Sequence, residues 1–240
     1  MRRLDVAFTL AGVGGGLRDT ATAVIDVLRA TTVIVRALDA GAHRIIPTLE
    51  PEDAIGVRER LGRATILLGG ERNAVRIDGF DLDNSPASYT PQRVAGRTIA
   101  LTTTNGTRAL HRVANAGATR TLCAAFSNLD AVVAALAADE RAQVLVVCAG
   151  TEGALSLEDV LCAGAISSGL VLGDPALVLS DAARVAALLY HGVRSRLPDA
   201  VASSEHAQRL AQAGFAADVL AAAQCNTSER VPVYQDGEIA

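Results

Sequence analysis

Polar clusters built from carboxylate, guanidinium, hydroxyl and amide side chains recur along this 240-residue chain, each just beyond a short apolar run. The first is Asp26-Val27-Leu28-Arg29-Ala30-Thr31-Thr32, which sets a carboxylate, a guanidinium and two hydroxyls ahead of a helical pattern. Gly69-Gly70-Glu71-Arg72 follows, then Gly79-Phe80-Asp81-Leu82-Asp83-Asn84-Ser85-Pro86 and Thr102-Thr103-Thr104-Asn105-Gly106-Thr107. Ser127-Asn128, Gly150-Thr151-Glu152-Gly153 and Ser156-Leu157-Glu158-Asp159 complete the series. Asp26, Glu71, Asp81, Asp83, Glu158 and Asp159 are more negative charge than one crevice tolerates without compensation. Oxygen donors with neither His nor Cys nearby select a hard cation, Mg2+ ahead of Mn2+ or Zn2+. The Thr103–Thr107 turn offers backbone N–H groups, hydroxyls and the positive end of a helix dipole to an anion, holding phosphate without Lys. Carboxylates, Mg2+ and an anion cradle are together the parts of a phosphoryl-transfer site.

The elements that must bring these clusters together follow from the apolar pattern. Short β-branched runs at residues 5–10, 22–27, 43–47, 65–68, 98–102, 119–123 and 143–148 read as strands. Between them, helical spacing covers 32–39, 51–61, 106–116 and 128–139, lengths suited to right-handed crossovers. Helical patterns then take over at 157–172, 176–197, 201–213 and 216–225. The fold class expected is a three-layer α/β/α arrangement with a mostly parallel sheet and a helix-rich C-terminal third. A single domain over 1–240 is the expectation, with a helical subdomain from about 174 as the variant. In open α/β sheets ligands bind beyond the carboxyl ends of the strands, where these clusters fall.

Composition narrows the chemistry further. Half the residues are hydrophobic but only 3% are aromatic and none is Trp, so stacking platforms for bases are scarce. All 22 basic residues are Arg, and the absence of Lys removes Schiff bases, lysine general bases and the Walker lysine. A formal net charge of −4 argues against nucleic acid or an anionic membrane surface as partner. Cys123, Cys148, Cys162 and Cys225 form no CxxC pair, which fits reduced thiols and a cytoplasmic protein. No uncharged apolar stretch is long enough to span a membrane.

Each cluster also has a purely structural reading. Thr104 or Asn105 fits as the cap of a helix starting near Gly106, and Ser156…Asp159 fits a capping box. Arg29 and Arg72 fit as ion-pair partners of Asp26 and Glu71. The glycines 12–16 end on Leu17 where a dinucleotide loop needs Gly. Asp81-Leu82-Asp83-Asn84-Ser85 is superficially like the DxDx[ST] signature of haloacid-dehalogenase-type phosphatases, without that family's downstream Lys. His43, His111, His191 and His206 lie in no phosphatase motif, and Gly-x-Ser-x-Gly and HExxH are absent. The Ala-rich segment 176–189 fits a subunit contact of a homo-oligomer and a buried helix equally well.

Asp26-Val27-Leu28-Arg29-Ala30-Thr31-Thr32, Gly70-Glu71-Arg72, Gly79–Pro86, Thr103–Thr107 and Ser156–Asp159 resemble, in order and approximate spacing, the motifs of the 2-phosphosulfolactate phosphatase family. The likeness spans about residues 24 to 165, and Val231-Pro232 is similar to that family's ending. The resemblance implies a Mg2+-dependent hydrolase releasing phosphate from 2-phosphosulfolactate, a small anionic substrate, as in coenzyme M biosynthesis. The Arg-rich, Lys-free composition is unlike a methane-forming archaeon, which leaves another phosphorylated hydroxy acid open as substrate. The expectation drawn from both lines places Asp26, Arg29, Glu71 and Asn105 in catalysis. Asp26, Glu71 and Asp159 are expected to hold metal. Thr31, Thr32, Arg72, Asn84, Ser85, Thr103, Thr104, Gly106, Thr107 and Asn128 are expected to bind substrate, with Arg29 and Arg72 dividing phosphate and sulfonate. A haloacid-dehalogenase-type enzyme and a non-catalytic anion-binding module are the alternatives.

Overall fold

The computed structural model describes residues 1–62 and 65–240. Its strands are β1 (Arg3–Ala7), β2 (Thr20–Ile25), β3 (Arg44–Thr48), β4 (Ile66–Arg72), β5 (Val75–Arg76), β6 (Thr98–Thr102), β7 (Thr121–Ala124), β8 (Gln143–Cys148), β9 (Val178–Leu179), β10 (Val233–Gln235) and β11 (Glu238–Ile239). The helices are α1 (Ala30–Asp39), α2 (Pro51–Leu61), α3 (Pro91–Val94), α4 (Gly106–Asn115), α5 (Leu129–Ala137), α6 (Leu157–Gly173), α7 (Asp181–Val193), α8 (Leu197–Ala202), α9 (Glu205–Leu210) and α10 (Ala216–Ala222).

One sheet runs in the order β5-β4-β6-β3-β11-β10-β7-β2-β8-β1-β9. β4, β6 and β3 pair in parallel, as do β7, β2, β8, β1 and β9, so two parallel halves exist. The antiparallel hairpin of β10 and β11 joins them, Val233 opposite Leu122 of β7 and Ile239 opposite Ile45 of β3.

The central strands are apolar on both faces, and the side chains show why. Leu4 and Val6 of β1, Ala23 and Ile25 of β2, and Val144 and Val146 of β8 pack into one cluster with α5, α6 and α7. The residues between them, Val24, Leu145 and Val147, pack into a second cluster with α1 and α4. Alternate residues of a single strand thus face opposite helical layers, which is the three-layer α/β/α arrangement that the continuous apolar runs predict.

Several boundaries move, each for a local reason. The strand expected at 5–10 ends at Ala7, and Leu10–Gly12 forms a 3-10 turn instead. The strand expected at 65–68 extends to Arg72, because Gly69 and Gly70 let it lie tightly against β6. A Cβ on Gly70, whose φ is +149°, would overlap the Thr102 carbonyl. The helix expected at 176–197 gives its start to β9, and α7 begins only where Ser180 Oγ accepts the Ala183 N–H at 3.1 Å. The helix expected at 201–213 is split, with Ser204 capping α9 through the Ala207 N–H. The C-terminal third is helix-rich as expected, but its last strands were not anticipated. Two- and three-residue strands are too short for a period-2 signal, although Asp236-Gly237 between them, both at positive φ, is the turn a tight hairpin requires. Cys123, Cys148 and Cys162 are buried free thiols and Cys225 is an exposed one. No described helix is long and apolar enough to cross a membrane.

Candidate active site

The carboxyl ends of β2, β4, β6 and β8 open onto one cavity of about 270 Å3. Asp26 and Arg29 reach it from β2, Glu71 with Asn73 and Ala74 from β4, Thr103, Thr104 and Asn105 from β6, and Thr151 and Glu152 from β8. Asn84 joins them from the loop before α3. His206, Arg209, Leu210 and Ala213 close it from the C-terminal helices. Segments more than a hundred residues apart therefore meet at one rim.

Asp26 sits at the junction of β2 and α1, 6% exposed. Thr31 fixes its backbone: Thr31 Oγ1 accepts the Asp26 N–H at 2.9 Å and donates to the Asp26 carbonyl at 2.8 Å. The carboxylate itself accepts the Ala30 N–H at 3.2 Å. Its other oxygen lies against the N-terminus of α4, where a Cβ on Gly106 would stand 2.6 Å from Asp26 Oδ2 and overlap Ala30 Cβ. Glycine is required there by close approach. Burial pushes the Asp26 carboxyl up to about 7, and the negative charges of Glu71 and Glu158 add to that while the Ala30 N–H and Arg29 oppose it.

Glu71 is held on both oxygens. Its Oε1 accepts the Thr104 N–H and the Thr104 hydroxyl, each at 2.9 Å, and Oε2 accepts the Ala74 N–H at 2.9 Å. The turn that carries Thr104 is closed by its own threonines. Thr103 Oγ1 accepts the Thr107 N–H at 3.1 Å, and Thr107 Oγ1 donates to the Thr103 carbonyl at 3.0 Å. Thr103, not Thr104 or Asn105, thus caps the start of α4. Asn105 instead accepts the Glu152 N–H at 3.2 Å, tying the β6 turn to the β8 turn.

Arg29 does not pair with Asp26. The peptide bond preceding it is cis, and its guanidinium donates to Asp218 Oδ2 at 2.7 Å while lying 4.2 Å over the Phe215 ring. Both partners are nearly fully buried, and Ser85 Oγ donates to the second Asp218 oxygen at 2.7 Å. Removing one partner of such a pair leaves an uncompensated buried charge, a cost of about 3–5 kcal/mol. Arg209, by contrast, pairs with Glu152 at 3.8 Å with both side chains more than half exposed. Exposed pairs of this kind contribute about 0–1 kcal/mol.

Other residues that the sequence pointed to serve the frame around the cavity. Arg72 does not line it; its guanidinium donates to the Leu49 carbonyl at 2.8 Å and pairs with Glu50 at 3.2 Å. Thr32 donates to the Val27 carbonyl, and Asn128 connects Ala125, Cys123 and Arg230 through three hydrogen bonds. Asp159 lies behind the rim, accepting the Val27 N–H at 2.9 Å and the Gly150 N–H at 3.0 Å. It forms no capping box with Ser156, whose hydroxyl instead meets Thr151 Oγ1 at 2.6 Å. Burial, with the charges of Asp26 and Glu158, pushes Asp159 well above the carboxylate range. Asp81 accepts the Leu68 N–H and pairs with Arg58, and neither it nor Asp83 reaches the cavity.

Four groups escaped the reading of the sequence. His206, Arg209 and Asp218 lie in the Ala-rich helices α9 and α10 and Phe215 in the turn between them, with no motif around any of the four. Only the burial of Asp218 in an otherwise amphipathic turn hints at a role, and burial is not visible in one sequence. His206 carries an Nδ1 that is buried without a hydrogen-bond partner, as does Asn84 through Oδ1 and Glu158 through Oε2. Burial, followed by the charges of Arg209 and Arg29, lowers the His206 pKa and keeps the ring neutral.

The donor set suits Mg2+. Asp26 and Glu71 present hard oxygens on the cavity wall, and no described group of three or more His, Cys, Asp or Glu is arranged as a self-sufficient metal cage. Mg2+ takes one or two carboxylates and completes its shell with water and substrate phosphate. Burial, and after it the nearby charges of Glu71 and Glu158, disfavours the bare Asp26 carboxylate, and a bound cation would relieve that.

Comparison with known proteins bears on the whole chain. Residues 14–237 match the family described as 2-phosphosulpholactate phosphatase. A probable 2-phosphosulfolactate phosphatase of Symbiobacterium thermophilum is 45% identical over 216 residues, 90% of this chain and 91% of that protein. One from Caldanaerobacter subterraneus is 40% identical over 222 residues, covering 92% and 90%, and one from Deinococcus radiodurans is 42% identical over 216, covering 90% and 88%.

Proposed function

The chain belongs to the 2-phosphosulfolactate phosphatase family, whose members are phosphoric monoester hydrolases, and on that footing we propose that it hydrolyses 2-phosphosulfolactate to sulfolactate and phosphate with Mg2+. The observation that carries the reading is the meeting of Asp26, Glu71 and the N-terminus of α4 at one small cavity. Hydrolysis of a phosphate monoester breaks the bridging P–O bond. Water supplies the new P–O bond, and one proton must leave that water as another reaches the departing alkoxide.

The residues divide this work. The backbone N–H groups that open α4, together with the side-chain amide of Asn105, receive the phosphoryl oxygens, where the helix dipole favours negative charge. Glu71 orients that turn through its two bonds to Thr104. Glu71 and Asp26 would hold Mg2+, which when bound supplies positive charge to the phosphoryl oxygens. Asp26 Oδ2, facing the start of α4, is placed to accept the proton of the attacking water. Arg29, locked to Asp218, keeps the β2 turn and the covering helices in register around the cavity. Leu28, Leu210 and Ala213 add apolar surface to the wall, which lowers the local dielectric and strengthens each of these interactions.

Phosphate release from 2-phosphosulfolactate, with Mg2+ and with EDTA, is the test. Release with Mg2+, abolished by the chelator, is expected. Asp26→Asn is expected to retain under a hundredth of kcat/KM, about 2.7 kcal/mol of transition-state stabilisation. No release by the wild-type protein overturns the substrate, and release indifferent to EDTA overturns the metal.

A further inference from the structure

A substrate of the proposed kind carries two acid groups besides its phosphate, and the phosphate turn accounts for only one end of it. The remaining anionic groups need a cation whose present partner can be exchanged. Arg29 is excluded by its buried pair with Asp218 and its cover of Phe215. Arg72 is excluded because it turns away to Leu49 and Glu50. Leu28, Ala74, Leu210 and Ala213 give the wall no charge. Arg209 on α9 is different: it lines the cavity, its side chain is 53% exposed, and Glu152 is 3.8 Å away and itself 68% exposed.

Glu152 stands where an incoming acid would have to stand. It lines the same cavity from the β8 turn, and its N–H donates to Asn105 of the phosphate turn, so the carboxylate is carried on a backbone anchored beside the reacting end. Resting on the phosphatase reading above, we infer that Arg209 is the specificity-determining residue for the acid group remote from phosphorus, pairing with a sulfonate or carboxylate that takes the place of Glu152. The exchange trades one loose ion pair for another and breaks no buried bond. The guanidinium fork matches either acid group with two parallel hydrogen bonds, which an ammonium cannot do. Discrimination between an acidic phosphomonoester and a plain one therefore resides on the covering helices, apart from the phosphate turn.

The test measures binding and turnover on the full-length protein. Sulfolactate and inorganic phosphate are titrated by calorimetry into wild type, R209Q, R209K and E152Q. R209Q is expected to weaken sulfolactate at least tenfold and phosphate less than twofold; R209K recovers part of the loss, and E152Q tightens sulfolactate by a few fold. In turnover, R209Q raises KM for 2-phosphosulfolactate at least tenfold with kcat within threefold, and leaves para-nitrophenyl phosphate within twofold. Sulfolactate binding unchanged in R209Q, equal weakening of sulfolactate and phosphate, or no binding of sulfolactate by wild type overturns the inference. Failure of the parent reading shows separately, as wild-type protein that releases no phosphate from 2-phosphosulfolactate, while the R209Q binding difference is read without turnover.

Discussion

Asp26 and Glu71 at the rim of the sheet, and Asp159 behind it, are held by backbone N–H groups of Ala30, Thr104, Ala74, Val27 and Gly150. On the helices that cover the cavity, Arg209 and His206 are held by little: one has a distant exposed partner, and the other has a ring nitrogen with none. The first region is a rigid cluster of carboxyl groups that polar backbone keeps in register, which suits chemistry on phosphorus. The second presents in Arg209 an exposed guanidinium with an exchangeable partner, which suits recognition of whatever else the substrate carries. Two ion pairs join the regions, and they differ as much as the regions do. Arg29–Asp218 is buried and short, whereas Arg209–Glu152 is exposed and long.

Asp218→Asn attacks the buried joint and is expected to have the largest effect. It should lower stability by about 3–5 kcal/mol. For a chain of this size that is a fall in melting temperature of roughly 10 °C, read by thermal unfolding. A fall under about 2 °C would show that the covering helices are not fastened through Arg29.

The rim is tested by pH in chelated protein. The Asp26 pKa is raised from 3.8 to about 7 on folding, so between these values the folded chain keeps a proton that the unfolded chain has lost. Stability from this group is full below pH 4 and declines as pH rises towards 7. Stability falls between pH 5 and pH 7, and Asp26→Asn is expected to make that fall shallower. The measurement is the difference between wild-type and Asp26→Asn unfolding free energies at the two pH values. Equal slopes would mean that Asp26 is not the buried charge at the rim.

The exposed joint should matter least to stability. Glu152→Gln is expected to change the unfolding free energy by less than about 1 kcal/mol. A loss equal to that of Asp218→Asn would erase the distinction between the two pairs. Activity sharpens the same contrast from the other side, since Gly106→Ala places a Cβ against Asp26 Oδ2 and Ala30 Cβ, both away from Arg209. It is expected to lower kcat more than tenfold with Arg209-dependent binding of sulfolactate intact.

Much of the rim was legible because its residues are contiguous in the chain. Asp26-Val27-Leu28-Arg29, Gly70-Glu71-Arg72 and Thr103–Thr107 each follow a strand that apolar runs reveal, and strands in a parallel sheet deliver their carboxyl ends to one side. The partners were less legible. Arg29 binds Asp218, 189 positions along, and Arg72 binds Glu50 instead of the adjacent carboxylate, since backbone direction at each turn decides where a long side chain can reach. Asn128 and Ser85 sit beside site residues in sequence but satisfy buried polar groups of the frame.

The sequence by itself determined the layered class, the strands that carry the acidic and threonine-rich turns, and the family likeness, because these depend on periodicity and on short local motifs. Only the tertiary structure decided that the last seven or so residues close the sheet as a hairpin, which arginine is locked and which is exchangeable, and that Ala-rich helices supply the cover. Those outcomes depend on burial and on pairings across more than a hundred residues, and neither quantity exists until the chain has folded.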